Sequence, residues 1–163
     1  AQNNFIPDTS GVVACGTQSH YWKTMWSNNV EITSDERKKN SIEDISDRYD
    51  LFIDYLIQMT KRFKLNDETN GKYHLGFIAQ EIENALYKSG LTPNDFAGIS
   101  IPDDPTNEIY GLSYTEFIAL LFKRIGRYQN DIQNLQIKNS SLEGEINIIK
   151  QEMEELRNAI YSK

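Results

Sequence analysis

SYTEFIALLFKRIGRYQNDIQNLQIKNSSLEGEINIIKQEMEELRNAI, residues 113–160, contains no proline and opens on a helix-entry capping box, Ser113-Tyr114-Thr115-Glu116. The stretch can therefore run as one helix, and residues 114–160 would span roughly 70 Å at ~1.5 Å per residue. With Ile125 at heptad position a, the a series is Ile125, Ile132, Asn139, Ile146, Met153 and Ile160. The d series is Leu121, Tyr128, Leu135, Leu142, Ile149 and Leu156, so Asn139 is the only polar residue in the seam. A 3–4 apolar repeat held over about five heptads marks a coiled coil. The chain upstream is too small to cover so long a seam, which points to other copies of itself. In a parallel bundle Lys138 would face Glu143, Glu145 would face Lys150, and Glu152 would face Arg157, all opposite in sign. Ile at a with mixed Leu and Ile at d permits three strands, while a lone Asn at a accompanies dimers; the balance leans to a homotrimer.

Working back toward the N-terminus, Tyr110 to Leu112 reads as a strand and Pro102-Asp103-Asp104-Pro105 as a loop. Thr92-Pro93 starts a turn or short helix. Ala79 to Lys88 reads as a short helix stopped by Ser89-Gly90. Asn66 to Gly71 is a turn with Asn70-Gly71 at its sharpest point, and its flanks, Arg62–Leu65 and Lys72–Ile78, can pair as a hairpin. Before that, Ile42, Ile45, Tyr49, Phe52, Leu56, Met59 and Phe63 step by 3 and 4, which predicts a helix ending near Phe63 to Leu65. Thr33-Ser34-Asp35-Glu36 and Ser41-Ile42-Glu43-Asp44 both fit helix-entry patterns. Val12–Cys15 and Val30–Thr33 read as short strands in a Gly-, Asn- and Ser-containing segment that cannot bury much by itself. The expected fold is α+β, mainly α: a short N-terminal β stalk segment over 1–34, a small helix and hairpin domain over 35–112, and the trimeric coiled-coil helix over 113–163.

Composition narrows the function. Among 163 residues, Lys+Arg number 17 and Asp+Glu 24, a net charge of −7 that works against phosphate-mediated binding of nucleic acid and adsorption to anionic membranes. Cys15 is the single cysteine, and His20 and His74 are far apart, so neither a disulfide framework nor a metal cluster is expected, and no cofactor is implied. No apolar run approaches the ~20 residues of a membrane span. Ala1-Gln2-Asn3-Asn4 carries no charged-then-apolar leader and reads as the middle of a longer polypeptide. Trp22 and Trp26 need a partner surface, most simply another stalk chain.

The chemistry lies at Ser34-Asp35-Glu36-Arg37-Lys38-Lys39-Asn40-Ser41-Ile42. A serine and a lysine can cut a peptide bond without histidine, provided the lysine is neutral, a state favoured by burial and by nearby cations such as Arg37 and Lys38. On an ideal helix a five-residue step rotates about 500°, leaving the two side chains ~140° apart. Ser34 and Lys39 therefore meet only if Ser34 precedes the helix. Otherwise Ser34 is a helix cap and Lys39 a solvated lysine.

Ser34-Asp35-x-Arg37-x-Lys39-x-x-Ile42 resembles the opening signature of the C-terminal intramolecular chaperone and auto-processing domain that ends phage endosialidases, tailspikes, tail fibres and neck appendage proteins, with a relative in the myelin regulatory factor. Gly76-Phe77-Ile78-Ala79-Gln80-Glu81-Ile82 is similar to a second signature of that family, and Tyr110-Gly111-Leu112-Ser113-Tyr114 to a third. Gly16, Trp22 and Ile32-Thr33 are similar to the stalk ends that precede it. The resemblance implies a homotrimeric chaperone that registers an upstream β stalk of the same polypeptide, then releases itself by cutting between Ser34 and Asp35. It would act as a single-turnover serine peptidase with Ser34 as the essential hydroxyl and Lys39 as its base. It implies supporting places for Arg37, Ile42, His74, Gly76, Gln80 and Glu81, no metal, and a virion appendage precursor assembled in the host cytoplasm.

Ser34 Oγ attacking its own carbonyl would close a four-membered ring. Activation of water or polarisation of the carbonyl by Ser34 and Lys39, attack by the Asp35 carboxylate through a six-membered ring, and an acyl shift at Thr33–Ser34 all remain open on the sequence. Two non-cleaving alternatives also stand: a trimeric fibre-tip clamp and a receptor- or glycan-binding tip.

Overall fold

The computed structural model describes residues 7, 9, 11, 14–67 and 71–161. The expected strand at Val12–Cys15 and the tip of the Asn66–Gly71 turn fall partly outside these residues. The chain divides into two units, 1–117 and 118–163.

In the first unit, residues 14–46 hold no helix or strand other than a 3-10 turn at Glu36–Lys38. The strand expected at Val30–Thr33 does not form; Val30 is 75% and Ile32 64% exposed. An isolated strand leaves its backbone donors and acceptors without a ladder, and no partner strand stands beside this one among the described residues.

The helix expected from Ile42 is shorter than its apolar spacing suggests. A 3-10 turn, Asp47–Tyr49, leads into α1, Asp50–Gln58, and Met59 ends it. Ile42 stays 67% exposed, and Ser41 takes a left-handed φ of 49°. Ser46 caps the 3-10 turn by accepting the Arg48 amide. These serines offer the backbone local bonds that compete with helix, while only Phe52, Ile53 and Leu56 find a core to bury in. Phe63 belongs instead to β1, Lys61–Phe63, which pairs antiparallel with β2, His74–Gly76, in the register Lys61 to Gly76 and Phe63 to His74. The expected hairpin is thus present, slightly shorter than drawn.

α2, Ala79–Lys88, has the predicted bounds. It closes as a Schellman motif: Gly90 at φ 73° lets the Leu91 amide donate to Leu86 O at 2.9 Å and the Gly90 amide to Tyr87 O at 3.0 Å. Leu91 and Leu86 are both buried, as that motif's apolar contact requires. Thr92 and Asp95 then cap a 3-10 turn, Pro93–Asp95. The predicted strand near Tyr110 is β4, Gly111–Leu112, and it pairs with β3, Ile99–Ser100, which sequence reading missed because two residues carry no periodicity.

α1 and α2 enclose the core with Leu91, Phe96, Ile99 and Phe117; Phe52, Ile82 and Leu86 are wholly buried. Its centre is aromatic. Phe96 meets Phe52 edge-on at 5.3 Å and Phe117 at 5.0 Å, and Phe117 stacks on Phe77 at 5.1 Å. Such pairs add about 0.5–1.5 kcal/mol beyond area burial.

α3 runs from Tyr114 to Tyr161, 48 residues, unbroken as predicted. Its first turn, Tyr114–Phe117, belongs to the first unit and the remainder forms the second. Along that remainder the heptad residues lie open: Ile132 is 55% exposed, Leu135 59%, Ile146 49% and Leu156 65%.

Candidate functional site

The Ser34–Lys39 segment folds so that its ends meet. Asp35 is extended at φ −70°, ψ 130°, three residues turn as a 3-10 helix, and Lys39 returns to extended backbone at φ −118°, ψ 155°. The turn is closed by the Lys38 amide on Asp35 O at 3.0 Å and the Lys39 amide on Glu36 O at 2.9 Å. Ser34 thus precedes the turn, and Lys39 Nζ donates to Ser34 Oγ at 2.8 Å. The pair is brought together across five residues, the arrangement a continuous α-helix would have prevented. Both residues are exposed.

Asp35 carries the local electrostatics. Its carboxylate accepts from the Arg37 amide at 2.9 Å, from Arg37 Nε at 3.0 and 3.2 Å, and from Arg37 Nη2 at 2.6 Å. The Arg37 side chain, and secondarily its amide, holds the Asp35 carboxyl below the ordinary 3.8. The Arg37 guanidinium therefore pairs with Asp35 instead of standing as a free cation beside Lys39, as sequence reading had it. The signal for this was the Asp-x-Arg spacing at the start of a turn.

The other expected residues sit on the hairpin and α2. His74 stacks on Phe63 at 5.8 Å. Gly76 lies under Tyr114: a Cβ there would overlap the Tyr114 hydroxyl, which accepts from the Phe77 amide at 3.2 Å. Glu81 pairs with Lys61 at 3.3 Å, and the Gln80 carbonyl accepts from Asn84. Ile42 is exposed just past the turn. Tyr114 and Phe117 anchor the start of α3 in the aromatic cluster.

Two contacts escaped sequence reading. Arg48 pairs with Asp95, and Tyr49 Oη donates to Asp95 O at 2.6 Å, which fastens the entry of α1 to the Thr92–Asp95 turn. Tyr110 Oη donates to Glu83 at 3.0 Å, tying the approach to β4 onto α2. Both join residues more than 20 positions apart, a distance at which a single sequence carries no pairing signal.

Among the described residues no group of His, Cys, Asp and Glu could hold a metal ion. Among the described residues no helix is long and apolar enough to cross a membrane.

Residues 34–91 match the family model described as chaperone of endosialidase. The chain is 30% identical over 107 residues to the capsule-specific Depolymerase 1 of Klebsiella phage KP32, covering 62% of this chain and 12% of that protein. The carboxy-terminal domain of the bacteriophage T5 L-shaped tail fibre, solved with its intramolecular chaperone domain, superposes with a TM-score of 0.65 at 17% identity, covering 79% of this chain and 38% of that one. A structure described as a novel intramolecular chaperon is 24% identical over 60% of this chain and 99% of its own, with a TM-score of 0.47. The chain thus spans about an eighth of the depolymerase it matches, and its likeness to the tail fibre is one of fold.

Proposed function

We propose that this chain, whose residues 34–91 match the family model described as chaperone of endosialidase, is the intramolecular chaperone end of a phage fibre or depolymerase, and that it releases itself by cutting the Ser34–Asp35 bond. The observation that carries the reading is the 2.8 Å contact from Lys39 Nζ to Ser34 Oγ, at the first position of the family match. Residues 1–34 are the end of the stalk, 35–112 the auto-processing domain and 113–163 the helix that gathers three parallel copies. The open heptad seam of α3 supports that assembly: an apolar row about half exposed along more than 30 residues is a surface that other copies cover.

Trimerisation aligns three upstream stalk chains before they pair. Non-local strand pairing is slow because the entropy of bringing distant segments together is lost before contacts repay it, and a register set by the coiled coil removes part of that loss. Cutting then separates the device from its product. In the reaction, Lys39 serves as the base to which Ser34 Oγ relays a proton from water. The water oxygen adds to the Ser34 carbonyl carbon, the C–N bond to Asp35 breaks, and the proton passes to the Asp35 nitrogen. A four-membered ring is avoided, and the exposed dyad is open to water. The protein is a virion appendage precursor assembled in the host cytoplasm, its partners being two further copies and the stalk of the same polypeptide.

Intact-mass spectrometry tests this on the wild type, Ser34→Ala and Lys39→Ala. Fragments meeting at Ser34/Asp35 in the wild type, with both variants whole, support the reading. One uncut mass for all three leaves a trimeric clamp without chemistry.

A further inference from the structure

We propose that Arg37 is a positioning residue for cleavage that acts only through Asp35, holding that carboxylate as the cap of the turn that returns Lys39 to Ser34. The inference rests on the self-cleavage reading above and assigns two of the four charged residues between the members of the dyad.

Reach sets the problem. Five residues in extended form span about 17 Å, more than one lysine side chain can bridge. A 3-10 turn rises only ~2.0 Å per residue, which folds the same five residues back within reach. The turn is three residues long, exposed on every side and far too short to persist by propensity alone. What closes it is Asp35. One carboxylate oxygen takes the Arg37 amide at 2.9 Å, the cap proper, and also Arg37 Nε at 3.0 Å; the other takes Nη2 at 2.6 Å and Nε at 3.2 Å. Backbone and side chain of one residue thus hold both oxygens of another two positions away. A planar guanidinium can do this and an ammonium cannot, because only the fork presents two parallel donors to a carboxylate.

The same clamp decides between routes to hydrolysis. For Asp35 to attack the Ser34 carbonyl through a six-membered ring, its carboxylate would first have to surrender four bonds to Arg37. The clamp therefore takes Asp35 out of the covalent chemistry and leaves it a structural anion on the leaving-group side of the bond.

The test is the rate at which the 35–163 fragment appears by intact mass in the full chain. Arg37→Ala should slow cutting by about 10- to 100-fold, the range expected when reacting groups are displaced by around an ångström. Arg37→Lys should recover little of that. Asp35→Asn keeps an amide-accepting cap and should cut faster than Asp35→Ala, which keeps none. The double variant Asp35→Ala/Arg37→Ala should be no slower than the slower single one, since each acts through the other. Circular dichroism should be unchanged throughout, because neither residue is buried. Wild-type rates in Arg37→Ala would overturn the proposal, as would an Asp35→Asn chain as inert as Ser34→Ala, which would make the carboxylate the attacking group. An uncut wild type removes the self-cleavage reading and this one with it, whereas a cutting wild type beside an unimpaired Arg37→Ala removes only this one.

Discussion

Gly76→Ala paired with Tyr114→Phe probes how the hairpin is joined to the start of α3. A Cβ at Gly76 would fall on the Tyr114 hydroxyl; the next nearest atoms are Tyr114 Cζ at 3.2 Å and Phe63 Cε1 at 3.6 Å. Gly76→Ala alone must push the ring aside, and overpacking of this kind costs about 1–3 kcal/mol. Tyr114→Phe alone removes the oxygen that accepts the Phe77 amide, a loss of about 0.5–1.5 kcal/mol. In the double variant the overlapping oxygen is absent, and the Cβ meets a tight 3.2 Å contact that a ring shift of a few tenths of an ångström relieves. The double variant should therefore be at least ~1 kcal/mol more stable than the sum of the single effects predicts. The assay is urea unfolding followed by near-ultraviolet circular dichroism, which reports the aromatic cluster. The far-ultraviolet signal is dominated by the 48 residues of α3 and would hide the first unit. Strict additivity would refute the reasoning, since it would mean that the glycine is not there to admit the hydroxyl.

Four further outcomes follow from the structure. Lys39→Arg keeps a donor for Ser34 Oγ but stays charged at any working pH, so mass spectrometry should find the chain uncut. In the proposed three-stranded assembly Leu142→Asp would place a charge in the α3 seam and should yield monomer by sedimentation equilibrium, whereas Asn139→Ile should raise the thermal midpoint of the assembly at a loss of strand-number specificity. The Asp95 carboxyl is held below the ordinary 3.8 by the Thr92 hydroxyl first, then by the Thr92 amide. Its stabilisation is therefore present above the unfolded pKa and lost as pH falls through the folded one. Asp95→Asn should flatten the acid limb of urea stability below about pH 4, with the neutral limb keeping its shape.

What the sequence made legible follows from how local the information is. α2 and the start of α3 carry their own punctuation, Ser89-Gly90 and Ser113-x-x-Glu116, and lie where expected. The Ser34–Lys39 contact was legible as a condition, that Ser34 precede any helix, and the 3-10 turn meets it. The segment from Ile42 to Phe63 was overdrawn because a 3–4 spacing states which residues could share a helix face without stating which of them have a core to face. Burial selects Phe52, Ile53 and Leu56, while Ile42 stays in solvent. Asp95 with Arg48 and Glu83 with Tyr110 depend on tertiary approach, and β3 is two residues held only by β4. The Asp35–Arg37 clamp is local and was within reach of the sequence. An arginine at this spacing reads first as a charge near Lys39, although at the start of a turn it is equally a donor to the carboxylate two residues before it.

The placement of the Ser34–Asp35 bond bears on what the proposed cut would divide. Every buried apolar side chain of the first unit among the described residues lies beyond Asp50, sixteen or more positions past that bond. The segment before it touches the rest through contacts such as Lys23 to Asp67 at 3.9 Å, between side chains that are 75% and 70% exposed, a pairing that contributes little. A cut there divides no core, so the downstream piece keeps its own packing and loses only a tether. On the proposed cut, an exposed and salt-sensitive ion pair of this kind would no longer have a tether's effective concentration behind it.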